Sequence, residues 1–234
     1  MRHLLIVDGR FELAGGFFEM CSDFSTVPNS LGGFSPVLYC QGDCSLLGKA
    51  SVAIIGTRTP TDEGIRAAVD AAQKACREGL VVVSGLAAGI DTAAHMTALE
   101  CGKTIAFLPF PLDGPVYPRT NAVLLEDIKR RGLAVSQFCS GTSAQKWCFA
   151  ERSRRIASHA DFVILIEDQE EGGGRKACDF ALKSGKLVLI PERFYYRTAI
   201  RWKRPLDGHL IQGPAEFAGL AALKKDIIVQ GELF

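Results

Sequence analysis

The chain has 234 residues, 47% of them hydrophobic and 23% charged, which is ordinary globular usage with enough apolar mass for one large core. A net charge of +1 excludes a global field that draws the protein onto nucleic acid, so any such contact must rest on a local basic patch. No apolar run approaches the roughly 18 residues of a membrane span, and the run before Asp8 is too short for a signal-peptide core, so a cytoplasmic protein without membrane contact is expected.

Residues 1–34 are predicted to be an N-terminal extension of unassigned role: Leu4 to Val7 suits a strand, Gly15 and Gly16 interrupt the pattern after it, and Pro28, Asn29, Gly32 and Gly33 make a linker-like end. PVLYC, residues 36–40, reads as a short strand closed by Gly42 and Asp43. From Val52 onward, short apolar runs at 52–55, 80–83, 104–108, 133–135, 162–166 and 187–190 are apolar on both faces, as in a covered parallel sheet. Helical patterns lie between them. In the first, Ile65, Ala68, Val69, Ala72 and Cys76 share a face and Gly79 offers a stop; the others cover about 91–100, 120–131, 149–159 and 173–184. This alternation predicts an α/β fold: an extended, Rossmann-like, doubly wound and mostly parallel sheet with helices on both faces. The main domain is expected to span 35–223, with 224–234 as a C-terminal tail. Eight cysteines are scattered without the spacing of a zinc knuckle, so reduced thiols, no metal and no cofactor are expected.

In such a sheet ligands bind beyond the carboxyl ends of the strands. Two of those ends stand out. Gly56, Thr57 and Arg58 offer a close backbone approach, a hydroxyl and a forked cation, with Thr59 or Thr61 to cap the next helix. Ser84, Gly85, Leu86, Ala87, Ala88 and Gly89 form a second loop of small residues at a helix start, where amides can face an anion. Neither the G-x-G-x-x-G fingerprint nor the Walker A lysine pattern comes after the first strand, which disfavours dinucleotide chemistry and ATP hydrolysis.

Other features read two ways. Asp91 and His95, four apart, suit an acid/base or partial metal pair, or a helix cap and a ring packed beneath the neighbouring loop. Arg152, Arg154 and Arg155 are predicted to open a helix, a conflict with the macrodipole that nearby anions relieve. Gly172, Gly173 and Gly174 suit an anion-accepting turn or a flexible linker. Between Arg193 and Arg204, Phe194, Tyr195, Tyr196 and Trp202 alternate with cations, as for single-stranded nucleic acid or as a packed loop with a basic rim.

Several stretches, in order from about Ser35 to Leu223, resemble the DNA-processing protein A family (DprA, also called Smf). PVLYCQGDCSLLGKASVAIIGTR is similar to the start of its main domain and ends in its Gly-Ser/Thr-Arg. SGLAAGIDTAAH resembles its SGLARGID-A-AH element, Tyr117-Pro118 and Asn121 its Tyr-Pro…Asn step, and Arg152-Ser153-Arg154 with Ile156-Ala157 its Arg-Asn-Arg-Ile-Ile-Ala helix; DGHLIQGPAEF resembles its closing segment. The resemblance implies a homodimeric single-stranded DNA-binding protein, not an enzyme, that helps load a RecA-type recombinase during DNA uptake, natural transformation or recombination. It implies a phosphate-binding surface of Gly56, Thr57, Arg58, Ser84, Gly85, Leu86, Ala87, Gly89, Asn121, Arg152, Arg154, Gly172 and Gly173, supported by Asp91 and His95. Ala88 stands where the family has arginine, Ser153 replaces asparagine, Gln137 replaces glutamate and GGGRKAC replaces a Gly-Ser-x-x-Thr-Ala turn; neither the family's winged helix nor its N-terminal helical domain is expected here. The alternative is a nucleotide-binding or nucleoside-monophosphate-processing enzyme or sensor of the lysine-decarboxylase-like Rossmann group, to whose PGG-x-GT-x-x-E loop only EGGGRKA corresponds. A partner-binding paralogue without a ligand is the third reading.

Overall fold

The computed structural model describes residues 37–197 continuously, together with Leu206 and five short strands nearer the termini. Three of these, β1 (Leu5–Val7), β2 (Arg10–Leu13) and β3 (Gly16–Phe18), form a small antiparallel sheet. The fourth, β4 (Ser25–Pro28), pairs antiparallel with β5 (Val37–Gly42), so the main sheet draws a strand from the segment predicted as an extension. The predicted domain edges at 34/35 and 223/224, and the tail, lie outside the described residues.

The alternating region forms β6 (Ser51–Ile55), α1 (Asp62–Arg77), β7 (Val81–Ser84), α2 (Ile90–Cys101), β8 (Thr104–Leu108), α3 (Ala122–Arg131), β9 (Leu133–Ser136), α4 (Lys146–His159), β10 (Phe162–Leu165), α5 (Gly173–Lys183) and β11 (Val188–Pro191). A short helix, α6 (Glu192–Arg197), and a last strand, β12 (His209–Ile211), complete the chain's described elements. The nine-stranded sheet has the order β12-β11-β10-β6-β7-β8-β9-β5-β4, parallel from β12 to β9 and antiparallel at β5 and β4. It is the predicted doubly wound, mostly parallel α/β architecture.

Both faces are covered, which is why the strands read as unbroken apolar runs rather than alternating ones. Ala53 and Ile55 face α4 and α5, where Ile156, Ala157, Ala177 and Cys178 pack; Val52 and Ile54 face α1 and α2. The buried stripe of α1 consists of Ala67, Ala68, Ala71, Ala72 and Ala75, and these small side chains let it lie close against the sheet and α2. From β6 the chain winds outward through β7, β8 and β9, then returns beside β6 as β10 and winds the other way. The β6/β10 boundary is therefore the topological switch point, where the loops splay apart and leave a cleft.

Candidate functional site

A cleft of about 360 Å³ opens at this switch point, between the loop after β6, the start of α4 and the loop after β10. Gly56, Thr57, Arg58, Ala87, Asp91, Arg152, Gly172 and Gly173, all singled out in the sequence, line it. A smaller hollow, lined by Gly85, Ala88 and Tyr117, shares Arg58, Ala87, Phe149 and Arg152 with it. Ser84, Leu86, Gly89, Asn121, His95 and Arg154 line neither.

The loop after β6 starts at Gly56 because a Cβ there would lie 2.5 Å from the Glu167 carbonyl oxygen and 2.8 Å from Ile90 Cγ1. Thr57 is buried, donates its N–H to the Glu167 carbonyl at 2.5 Å and accepts from the Thr59 N–H at 3.3 Å. The cap of α1 is Thr61, with Pro60 just outside the helix, and the Glu167 carboxylate accepts from the Thr61 amide and hydroxyl at 3.0 and 3.1 Å. The anion at this helix start is the chain's own. Arg58 projects outward: it is exposed, and its guanidinium carbon sits 5.9 Å from the Tyr117 ring centroid and 5.5 Å from that of Phe149. These rings meet edge to face at 5.7 Å, so cation and aromatics form one platform.

The loop after β7 is turned inward. Asp91 Oδ2 accepts from the amides of Gly85 and Ala87 at 3.1 and 3.3 Å, and His95 Nε2 accepts from the amide of Leu86 at 3.3 Å. Asn121 Nδ2 donates to the Leu86 carbonyl at 3.0 Å and Ser84 Oγ to the Ile54 carbonyl at 2.7 Å. These bonds hold Leu86, fully buried, at φ 59°, a left-handed conformation that costs a bulky residue about 1–2 kcal/mol. Thr104 donates its one hydroxyl hydrogen to the Val82 carbonyl, so its oxygen accepts from His95 Nδ1–H at 2.7 Å and Nε2 is left as the acceptor. The ring is neutral: burial first and the Arg152 charge second lower its pKa to about 3. The expected cradle of free amides is thus already filled from α2, and this loop is a brace.

Arg152 packs against the second loop and lies beside Arg58 of the first. It is 8% exposed, its Nη1 donates to Asp91 Oδ2 at 3.3 Å, and the Nη1 tip of its guanidinium abuts Gly85, where a Cβ would fall 1.4 Å from it. Its buried Nε–H has no hydrogen-bond partner among the described residues. Burial lowers its pKa most, Asp91 opposes this and Arg58 adds repulsion, yet a guanidinium stays charged. A desolvated cation sharing one carboxylate with two amides, beside a second cation, is arranged to receive an anion.

Contrary to the expectation from the sequence, the arginines do not open their helix. α4 begins at Lys146, with Gln145 as its cap, so Arg152 lies in its second turn and no first-turn conflict with the dipole exists. Arg152 and Arg154, two apart, point to different sides of the helix. Arg154 is held by Glu151, with Nε 3.1 and 3.0 Å from its two carboxylate oxygens, and takes no part in the cleft. Arg155 pairs with Gln137 Oε1 at 2.6 Å. The earlier start instead brings Lys146 and Phe149 to the cleft, two residues that carry no motif in the sequence.

On the far side Gly172–Gly174 forms a helix start and not a linker. Asp168 Oδ2 accepts from the Arg175 amide at 2.8 Å, and a Cβ at Gly172 would lie 2.1 Å from Asp168 Oδ1. Burial raises the Asp168 pKa, against amide hydrogen bonds from Arg175, Gln169 and Gly174. Lys176 is exposed on the rim. The starts of α1 and α5, and the loop leading into α2, therefore each receive a carboxylate of the chain. Among the described residues no three His, Cys, Asp or Glu side chains gather as a metal site. Arg193 and Arg197 engage Glu63, which places the first part of the basic aromatic stretch against α1; 198–204 lie outside the described residues.

The family model described as DNA recombination-mediator protein A matches residues 22–202. The chain is 36% identical over 204 residues to the DNA processing protein DprA of Streptococcus pneumoniae, covering 84% of this chain and 67% of that protein. It is 34% identical over 155 residues to the Bacillus subtilis DNA processing protein DprA, covering 65% of this chain and 52% of that one, so it spans about half the length of this relative. Its fold matches that of DNA processing protein A from Helicobacter pylori, a protein described by its single-stranded DNA binding mode, with a TM-score of 0.73 and 28% identity over 87% of this chain and 96% of the other.

Proposed function

Starting from the fact that the chain belongs to the DNA recombination-mediator protein A family, we propose that it binds single-stranded DNA at the switch-point cleft without converting it chemically. The phosphate backbone lies along Arg58, Arg152, Lys146 and Lys176, and unpaired bases stack on the Phe149–Tyr117 platform. Gly56, Thr57, Gly85, Ala87, Gly172 and Gly173 shape the walls, while Ser84, Leu86, Gly89, Asn121, Asp91 and His95 hold the second loop in place. The wider role is that of a recombination mediator: a cytoplasmic homodimer that passes its strand to a RecA-type recombinase in DNA uptake, transformation or recombination.

The observation that carries this reading is the buried Arg152, whose Nε–H lacks a partner among the described residues, next to the outward-facing Arg58. An isolated nucleoside monophosphate is less suited, because the helix starts where its phosphate would sit already hold Glu167, Asp91 and Asp168. Anisotropy titrations with a labelled single strand, its duplex and a mononucleotide test the proposal. The single strand is expected to bind tightest, with affinity falling steeply in salt; equal or tighter binding of the mononucleotide overturns it.

A further inference from the structure

Away from the cleft, α1 and α2 end side by side. Cys76 is the penultimate residue of α1 and Cys101 the last of α2, and both thiols are free. The Cys76 thiol is half-buried and packs against Gly102, the neighbour of Cys101, whose own thiol is exposed and donates its S–H to the Thr97 carbonyl at 3.2 Å. Gly102 makes this contact sterically feasible. A Cβ there would lie 2.6 Å from Cys76 Sγ, 3.0 Å from its Cβ and 3.5 Å from its Cα. Because φ of Gly102 is −166°, ordinary extended backbone, glycine is needed here for space and not for conformation. With Cys76 Sγ packed beside the residue that follows Cys101, side-chain rotations can bring the two sulfurs to the roughly 2.05 Å of a disulfide.

We propose that Cys76 and Cys101 form a reversible, peroxide-responsive disulfide that ties the C-terminal ends of α1 and α2. The exposed Cys101 sulfur attacks hydrogen peroxide, breaking the O–O bond, forming a sulfenic acid and releasing water. The Cys76 sulfur then attacks the sulfenic sulfur, the S–O bond breaks, and the hydroxyl leaves as a second water with the Cys76 proton. Two thiols lose two electrons and one peroxide gains them. Cys76 is the less exposed of the two thiols, and burial first, with the neighbouring Cys101 thiol second, pushes its pKa up to about 12, so Cys76 is the resolving partner. Both helices present their N-termini to the cleft and these ends to the opposite edge of the sheet, so the bridge fastens the scaffold without obstructing the strand's path.

The full chain is treated with a modest excess of hydrogen peroxide, alkylated, digested without reductant and mapped by mass spectrometry. A Cys76–Cys101 cross-linked peptide, lost on adding dithiothreitol, is expected. The thermal midpoint should rise by on the order of 5 °C, with single-strand affinity changed less than twofold. Cys76→Ser should remove the cross-link and leave Cys101 to oxidise further, and Gly102→Ala should slow cross-linking at least severalfold. Direct passage of wild-type Cys101 to sulfinic acid, bridging only through other cysteines, or equal cross-linking in Gly102→Ala overturns the proposal. The cross-linking outcomes do not depend on the DNA-binding reading, which is read from the oligonucleotide titration alone.

Discussion

The loops after β6 and β7 look alike in sequence, each a small-residue turn between an apolar strand and a helix, yet they do opposite work. In the first, the amides of Thr57 and Thr61 are tied back to Glu167 and one side chain, Arg58, is released toward solvent and two aromatic rings. In the second, the amides of Gly85, Leu86 and Ala87 are all consumed by Asp91 and His95, and Gly85 leaves room for the Arg152 guanidinium. A glycine-rich turn at a helix start is therefore no sufficient sign of an anion cradle. The deciding feature is whether the helix behind it brings its own carboxylate. On the proposed reading, recognition passes from backbone amides to arginine side chains, which suits a strand with repeated phosphates better than one compact phosphate group.

The largest test of that contrast is Asp91→Ala, which leaves the buried Arg152 and two loop amides without their shared acceptor. About 3–5 kcal/mol of stability should be lost, a fall of roughly 10 °C in thermal midpoint by calorimetry. Arg58→Ala should act in the converse way: single-strand affinity falls about tenfold while the midpoint moves by less than about 1 °C. If Arg58→Ala unfolded the protein and Asp91→Ala only weakened binding, the two loops would have been assigned the wrong way round.

A pH series sharpens the brace. Burial first, then Arg152, lowers the His95 pKa to about 3; burial first, then Lys186, lowers that of His159 to about 4. Unfolded imidazoles take up a proton near 6.5, so between those values the unfolded state binds more protons. Stability is full above about pH 6.5 and declines as pH falls, by at most about 1.4 kcal/mol per pH unit for each ring. Urea denaturation of His95→Gln between pH 7 and pH 5 should show roughly half the wild-type loss; an unchanged loss would remove His95 from the brace. The smallest effect belongs to Arg154→Ala, whose single-strand affinity should stay within twofold of wild type, because Glu151 holds that guanidinium away from the cleft.

Much of this architecture is legible in the sequence alone. Strands buried on both faces leave unbroken Val, Ile and Leu runs, so β6 to β11 can be placed within a residue or two, and the switch point is implied by their alternation with helices. The start of α4 is not legible, because Gln145 stands at the cap where Ser, Thr, Asp or Asn would mark it. A later start puts Arg152 in a first turn and hides Lys146 and Phe149. The separation of Arg154 from Arg152 is readable from their spacing of two. The inward turn of the second loop is not, since it depends on Asn121, Thr104 and Arg152, and the Arg152–Asp91 pair spans 61 positions.

On the proposed reading, Arg58 and Arg152 face the phosphates of a single strand across the switch-point cleft. Its most direct measurement is the dependence of single-strand affinity on salt concentration, compared between wild type and Arg58→Ala by anisotropy. Loss of one phosphate contact should lower the slope of log affinity against log salt by about 0.7, in addition to the loss in affinity at any one salt. Identical slopes, or a wild type whose binding is indifferent to salt, would contradict the account.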